Sequence, residues 1–262
     1  MLGTVIGDIY GSCYEKNRTP TRDLPALTAA NHFTDDTVTT MAVAEHLLEG
    51  VQLKSAFKAW VGMYPKVGYG GRFEAWAEGR ATSEPASYGN GALMRIGPVA
   101  ALGTSLSTAQ YIARQITMST HGDPIALRAV EQFVELHWSA LQGLDKLTLL
   151  DSWKSMGGAL HSVEAIHAAG SPMRIRADDT LEDVMSCLAE SDDFETLIGT
   201  CLYHGGDSDT IAAIAGVLGE ALWGIPPAME AAIQLYLDNR ITAALARLYE
   251  QPALRARACV SA

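Results

Sequence analysis

Positive charge is in short supply in this chain: 19 Lys plus Arg stand against 30 Asp plus Glu, a formal net charge of −11 over 262 residues. A nucleic-acid surface needs clustered cations to hold a phosphate backbone, so no nucleic-acid partner is expected. Cysteine is scarce too. Cys13, Cys187, Cys201 and Cys259 form no C-x-x-C pair and show no zinc-ligand spacing, which leaves buried, reduced thiols as the expectation rather than disulfides. No apolar run is long enough for a membrane span. The most apolar stretch, Thr210 to Gly224, contains Glu220 and falls short of the ~20 residues a span requires. The opening MLGTVIGDIYGSCYEKNR lacks a basic leader and meets Asp8 too early for a signal peptide. These absences point to a cytoplasmic enzyme or binding protein. Clean apolar/polar alternation and β-branched clusters are also missing, so strands are not expected.

What is present is helical periodicity. The 48% hydrophobic and 19% charged composition is that of a globular protein, and the length gives ample material for a core. With no linker, repeat or low-complexity tract in view, one all-α domain over 1–262 is expected. Residues 35–48 read as a helix stopped by Gly50. Residues 123–141 form the clearest helix, with Asp123 as cap, Pro124 in first position and a stripe through Ala129, Phe133, Leu136 and Ala140. Residues 209–223, rich in Ala and Gly, read as a central buried helix. Further helices are expected at 3–13, 53–63, 107–118, 145–156, 180–190, 194–203 and 228–248, with long irregular pieces at 16–33 and 64–90.

Two acidic motifs stand out, Thr34-Asp35-Asp36-Thr37 and Asp207-Ser208-Asp209-Thr210. Each opens an apolar helix, and helix capping alone would account for either. Together they read differently, because carboxylates at two buried helix starts are costly unless a cation pairs with them. A set of oxygen donors without Cys or His suits Mg²⁺, Mn²⁺ or Ca²⁺. A third DDT, at Asp178-Asp179-Thr180, precedes a helix carrying Glu182, Asp183 and Glu190 and reads as the capped start of a solvated helix, Thr180 and Asp183 resembling a capping box. The loop Ser87-Tyr88-Gly89-Asn90-Gly91 runs into a helix, where backbone N–H groups can cradle an anion or make a simple glycine turn. The only cation nearby is Arg95, so the backbone amides of 87–91 are expected to carry most of that task, with Arg95 secondary. His121 lies in a loop before the strongest helix, and Glu15 follows Asp8 by seven residues, so the two acids can face the same way.

In this order, IGDIYGSCYE, HFTDDTVTTMAVAEHLL, GYGGRFEAW, SYGNGALMRIGPVAALG, STHGDP and HGGDSDTIAAIAGVLGEALWGIP resemble the ADP-ribosylglycohydrolase family, nearer its short bacterial branch, across residues 6 to 226. The resemblance implies an all-α fold with a cleft holding two divalent cations, Mg²⁺ or Mn²⁺. It implies metal ligation by Thr34, Asp35 and Asp36 on one side and by Asp207, Asp209 and Thr210 on the other. It makes Glu15 the family's mobile acid, able to bind a metal or attend the scissile bond, and places catalysis on Glu15, Asp36 and Asp209. Ser87, Tyr88, Gly89, Asn90, Gly91 and His121 match positions that hold the substrate, while the role implied for Asp8 is less defined. Relatives often carry T-H-x-H-P where this chain has Asp123 at the second histidine position, so adenosine-side recognition differs.

The implied reaction is metal-dependent cleavage of the glycosidic bond between ADP-ribose and a protein side chain or small-molecule acceptor. Two other readings stand beside it: a di-metal hydrolase of another ribosyl or phosphoryl compound, and a non-catalytic ADP-ribose-binding or structural relative. The linkage cleaved is not legible, and a monomer is the working expectation for oligomeric state.

Overall fold

In the computed structural model, which describes residues 1–15, 18–81 and 86–251, the chain is built around one helix whose first twelve residues are all buried, Ser208 to Gly219. In chain order the α-helices are α1 Leu2–Gly11, α2 Asp35–Glu49, α3 Leu53–Met63, α4 Gly71–Ala77, α5 Gly91–Met94, α6 Gly97–Leu102, α7 Leu106–Met118, α8 Pro124–Leu141, α9 Lys146–Ser155, α10 Val163–Ala168, α11 Ala177–Ala189, α12 Phe194–His204, α13 Ser208–Trp223, α14 Pro227–Ile233 and α15 Asn239–Tyr249. No strand occurs among the described residues; two isolated bridges pair Ala86 with His121 and Gly89 with Arg176. The fold is all-α, as the missing alternation predicts.

α13 is surrounded by α1, α12, α11, α8, α5 and α2. Its tightest partner is α1. Gly3, Gly7 and Gly11 repeat every fourth residue, so they share one face of α1. A Cβ on Gly7 would lie 2.1 Å from the Ala212 carbonyl oxygen, and one on Gly11 would lie 2.3 Å from Asp209 Cα. Only glycine allows backbones this close. The contact at Gly11 sets Asp209 directly against the end of α1.

The helix ends follow local chemistry. Asp123 accepts from the Ile125 amide at 2.8 Å and Pro124 opens α8. Gly50 ends α2 at φ 68°. Two expected helices are corrected. The run at 228–248 is broken, because Asp238 accepts from the amides of Arg240 and Ile241 and starts α15 afresh after α14 and a 3₁₀ turn at Gln234–Tyr236. The helix expected from 180 begins at Ala177, so Thr180 is no cap; its hydroxyl donates to the Arg174 carbonyl, and Asp183 is fully buried rather than solvated. The irregular stretch 64–90 contains α4, whose Phe73 and Trp76 pack on Phe57 of α3. Cys13, Cys187 and Cys201 are free thiols; Cys259 and the rest of 252–262 lie outside the described residues. No helix among the described residues is long and apolar enough to cross a membrane.

Candidate active site

The two acidic motifs come together. α2 and α13 bring their N-terminal ends to one cleft of about 580 Å³, lined by Glu15, Thr34, Asp35, Asp36, Asp207, Asp209 and Thr210. The same cleft is lined by Ser87, Gly89, Asn90, Gly91 and His121, so the motifs read separately from the sequence converge. Tyr88 is the exception: it is exposed and lies outside the cleft lining, and its carbonyl accepts from the Ala177 amide at 2.9 Å.

Asp8 organises the acidic floor. It sits near the end of α1, fully buried, and accepts from the Thr34 amide at 2.9 Å, the Thr34 hydroxyl at 2.8 Å and the Thr37 amide at 3.0 Å. A carboxylate from another helix thus satisfies the orphan N–H groups that open α2. Thr34 adds a long hydrogen bond from the Asp36 amide. The consequence falls on Asp36. Freed from capping, its Oδ1 is buried with no hydrogen-bond partner, while Oδ2 accepts from the hydroxyls of Thr34 at 3.3 Å and Thr210 at 3.2 Å. Oxygens of Asp8, Asp36 and Asp209 lie within 4.8 Å of one another, all three residues being buried.

Such crowding is unfavourable for bare charges, and proton affinities rise accordingly. Burial, then the charges of Asp8 and Asp209, pushes Asp36 well above the carboxylate range. Burial and Asp207 do the same to Asp209. Asp35 is pushed up to about 7 by burial and Asp8, with Arg95 pulling the other way. Asp8 rises through burial, partly offset by its hydrogen bonds to Thr37 and Thr34. An orphaned buried oxygen, converging carboxylates and hydroxyl neighbours fit a hard divalent cation, whose charge would relieve the repulsion.

The anion-binding side differs from the sequence expectation in detail. Three amides of the 87–91 loop are already engaged, Ser87 N–H with the Thr120 carbonyl at 3.3 Å, Gly89 N–H with Ser87 Oγ at 3.1 Å and Asn90 N–H with the Ile175 carbonyl at 2.9 Å. Arg95 is buried beside the cleft, stacked over Phe57 and Phe73, with Nε donating to the Gly91 carbonyl and Nη2 3.2 Å from His121 Nδ1. Its Nη1 has no hydrogen-bond partner. Burial lowers Arg95 to about 10, still charged at neutral pH, while Asp35 and Asp36 support the charge. Burial and the Arg95 charge hold His121 well below the usual imidazole range. The ring is therefore neutral, and with Nδ1 accepting from Arg95 its Nε2 carries the hydrogen. That nitrogen faces Gly91, where a Cβ would lie 3.3 Å away. Lys66 and Arg72, which sequence reasoning passed over, also line the cleft and put cations on its rim.

An all-α fold wrapped round a cleft with an acidic floor and a glycine-rich, histidine-bearing wall makes a scaffold whose donors fit a divalent cation beside an anionic ligand. The chain belongs to the ADP-ribosylglycohydrolase family, whose profile matches residues 1–257. Among curated proteins it is similar to "ADP-ribosylarginine hydrolase Tri1" of Pseudomonas putida (strain GB-1), 27% identical, with 86% of this chain and 70% of the relative covered. Among solved structures it is similar to "ADP-ribosylglycohydrolase-related protein complex", with TM-score 0.75, 28% identity and 95% of each chain covered. Family and relative together support hydrolysis of ADP-ribosyl groups.

Proposed function

We propose that this chain is a divalent-cation-dependent hydrolase that cleaves the N-glycosidic bond between ADP-ribose and an arginine side chain. The observation that carries the reading is the Asp36 Oδ1 orphan inside the buried Asp8–Asp36–Asp209 group, at the floor of a cleft large enough for a nucleotide-sized ligand. The arginine linkage is drawn from the relative's name.

Thr34, Asp35 and Asp36 at the start of α2, with Asp207, Asp209 and Thr210 at the start of α13, are the residues that would hold two cations, Mg²⁺ or Mn²⁺. When bound, such cations neutralise the carboxylates and polarise the ribose hydroxyls. The protein's own groups do the rest. Arg95 and the Nε2–H of His121 offer donors to the pyrophosphate, with Gly91 keeping the wall close. Glu15, at the cleft edge, accepts the proton of the attacking water as its oxygen bonds to the anomeric carbon. The carbon–nitrogen bond breaks with its electron pair going to the guanidine nitrogen, which takes up the proton that Glu15 accepted, so the leaving group departs protonated and the Glu15 carboxylate is restored. Ligands that deprotonate only when a cation arrives make occupancy pH-dependent.

The test is release of free ADP-ribose from defined arginine-, serine- and acetyl-linked substrates with Mg²⁺, Mn²⁺ or chelator. Release from the arginine-linked substrate that chelator abolishes is expected. Binding of ADP-ribose without release from any substrate would favour a non-catalytic ADP-ribose-binding relative, and release from another linkage would correct the acceptor.

A further inference from the structure

Asp183 lies on α11, outside the cleft lining, and is fully buried. Three basic side chains meet it. Arg174 Nη1 donates to Oδ1, His161 Nε2 stands 3.0 Å from that oxygen and His204 Nε2 stands 3.4 Å from it. A buried carboxylate persists only if cations match it, and the arrangement is costly to break from either side. Burial opposes the charge of Asp183, but the two histidines and Arg174 outweigh it and hold the group below its usual range. Burial likewise opposes charge on His204. Cys187, Asp183 and the Gly205 carbonyl overcome it and raise the ring to about 9.

Two of these three partners lead by short routes to the same cleft residue. His204 is the last residue of α12, and its Nδ1 is 3.0 Å from the Gly205 carbonyl. Gly205 and Gly206 then turn at φ 72° and 74° straight into Asp207. Arg174 sits within the segment 171–176, which packs against that turn; a Cβ on Gly206 would lie 2.9 Å from the Pro172 carbonyl oxygen. The next residue, Ile175, accepts the Asn90 amide at 2.9 Å, and Asn90 Nδ2 donates to Asp207 Oδ2 at 2.6 Å.

We propose that Asp183 is a positioning residue for the cation site: the buried Arg174–Asp183–His204 pairing braces Asp207 from two sides, through the 204–206 turn and through Ile175 to Asn90. The inference rests on Asp207 being a cation ligand, as proposed above. It gives a purpose to ionic contacts buried behind the cleft, where an apolar core would be cheaper. One carboxylate on α11 fixes both the backbone direction from which Asp207 enters and the amide that orients its side chain.

The test is a Mn²⁺ titration of chelator-stripped protein, followed by electron paramagnetic resonance, beside turnover and melting. Asp183→Asn keeps the shape and removes the charge. It is expected to keep its helical circular dichroism and to weaken Mn²⁺ binding by about 10–100-fold, the usual effect of removing a residue that supports a metal ligand. Measured well below the melting temperature of the variant, turnover should recover towards wild type at saturating Mn²⁺; a loss of stability alone would leave affinity and turnover unchanged at that temperature. Asp179→Asn removes another Arg174 partner, 3.2 Å away, and should leave Mn²⁺ binding unchanged. Should Asp183→Asn fail to fold, His204→Gln breaks one arm while Arg174 stays on the carboxylate, and a several-fold loss of Mn²⁺ affinity is expected. Folded Asp183→Asn, or His204→Gln in its place, with wild-type Mn²⁺ affinity and turnover overturns the brace. Wild type that binds no Mn²⁺ overturns the cation reading itself and the brace with it, an outcome separate from a loss confined to the variants.

Discussion

At the scale of single residues, the site is organised by which carboxylate caps a helix and which is left free to bind. Asp8 takes the hydrogen bonds at the start of α2, and Asp36, grouped with Asp8 and Asp209, is left with an orphaned buried oxygen. Asp36→Ala and Asp209→Ala are each expected to lower turnover by more than about a hundredfold, since each removes a charge that the cations would need. Without metal, each should melt no lower than wild type, because one member of a repelling cluster is gone. Isothermal titration with Mn²⁺, activity and melting in chelator check this pair of outcomes; normal metal binding and turnover in either variant would remove that residue from the site. Glu15→Gln tests the proton acceptor. The amide keeps the size but takes no proton, so ADP-ribose binding should persist while turnover falls about 10²–10⁴-fold. A loss under tenfold with metal binding intact would place the base elsewhere.

At the scale of elements, the seam between α1 and α13 decides whether the acids meet. Gly7→Ala puts a methyl group 2.1 Å from a backbone oxygen that no side-chain rotation can move. Forcing the helices apart should cost about 1–3 kcal/mol or more, and activity should fall with stability because Asp8 and Asp209 ride on the two helices. Chemical denaturation beside activity would show both losses, and a variant as stable and active as wild type would deny the close contact. The elements themselves were largely legible. The small-residue run at 209–223 announced a buried helix, and Asp123-Pro124 announced the start of α8. Periodicity could not foresee that Asp238 would interrupt 228–248, since a lone Asp inside an apolar pattern reads as a surface residue until its side chain is seen on two amides. For the same reason Asp183 passed for a solvated acid: its partners Arg174, His161 and His204 come from other segments, and pairing across segments leaves no spacing to read. The acids of the cleft were visible as motifs, whereas Asp8's capping of a distant helix and the burial of Arg95 beside His121 depend on packing alone.

At the scale of the whole molecule, the acidic floor and the brace behind it set how stability depends on pH. Asp35 is held at about 7, and Asp36 and Asp209 are held well above the ordinary range, chiefly by burial and mutual repulsion. The folded apo-protein therefore keeps protons that the unfolded chain would release, and stability falls as pH rises from about 4 through 7 and beyond. His204 acts in the same direction: its contribution is complete below its ordinary value of 6.5 and is lost as pH climbs through about 9. Asp183 and His121 act oppositely: the lowered value of Asp183 adds stability that is lost only towards acid, and His121, held neutral by burial and Arg95, costs stability as pH falls through its ordinary value of 6.5, so the several raised carboxylates must outweigh that one ring. In chelator, then, the melting temperature should be higher near pH 5.5 than near pH 8. Divalent cations compete with protons for the same oxygens, so they should raise the melting temperature most near pH 8, where less proton must be displaced. Asp36→Asn, which removes one repelling charge, should flatten the chelator profile and shrink the Mn²⁺-induced rise. Differential scanning fluorimetry across pH, with and without millimolar Mn²⁺, gives all four curves. If the wild-type melting temperature in chelator does not fall between those two pH values, the carboxylates are compensated by the fold itself, and the case for a cation at this cleft loses its electrostatic basis.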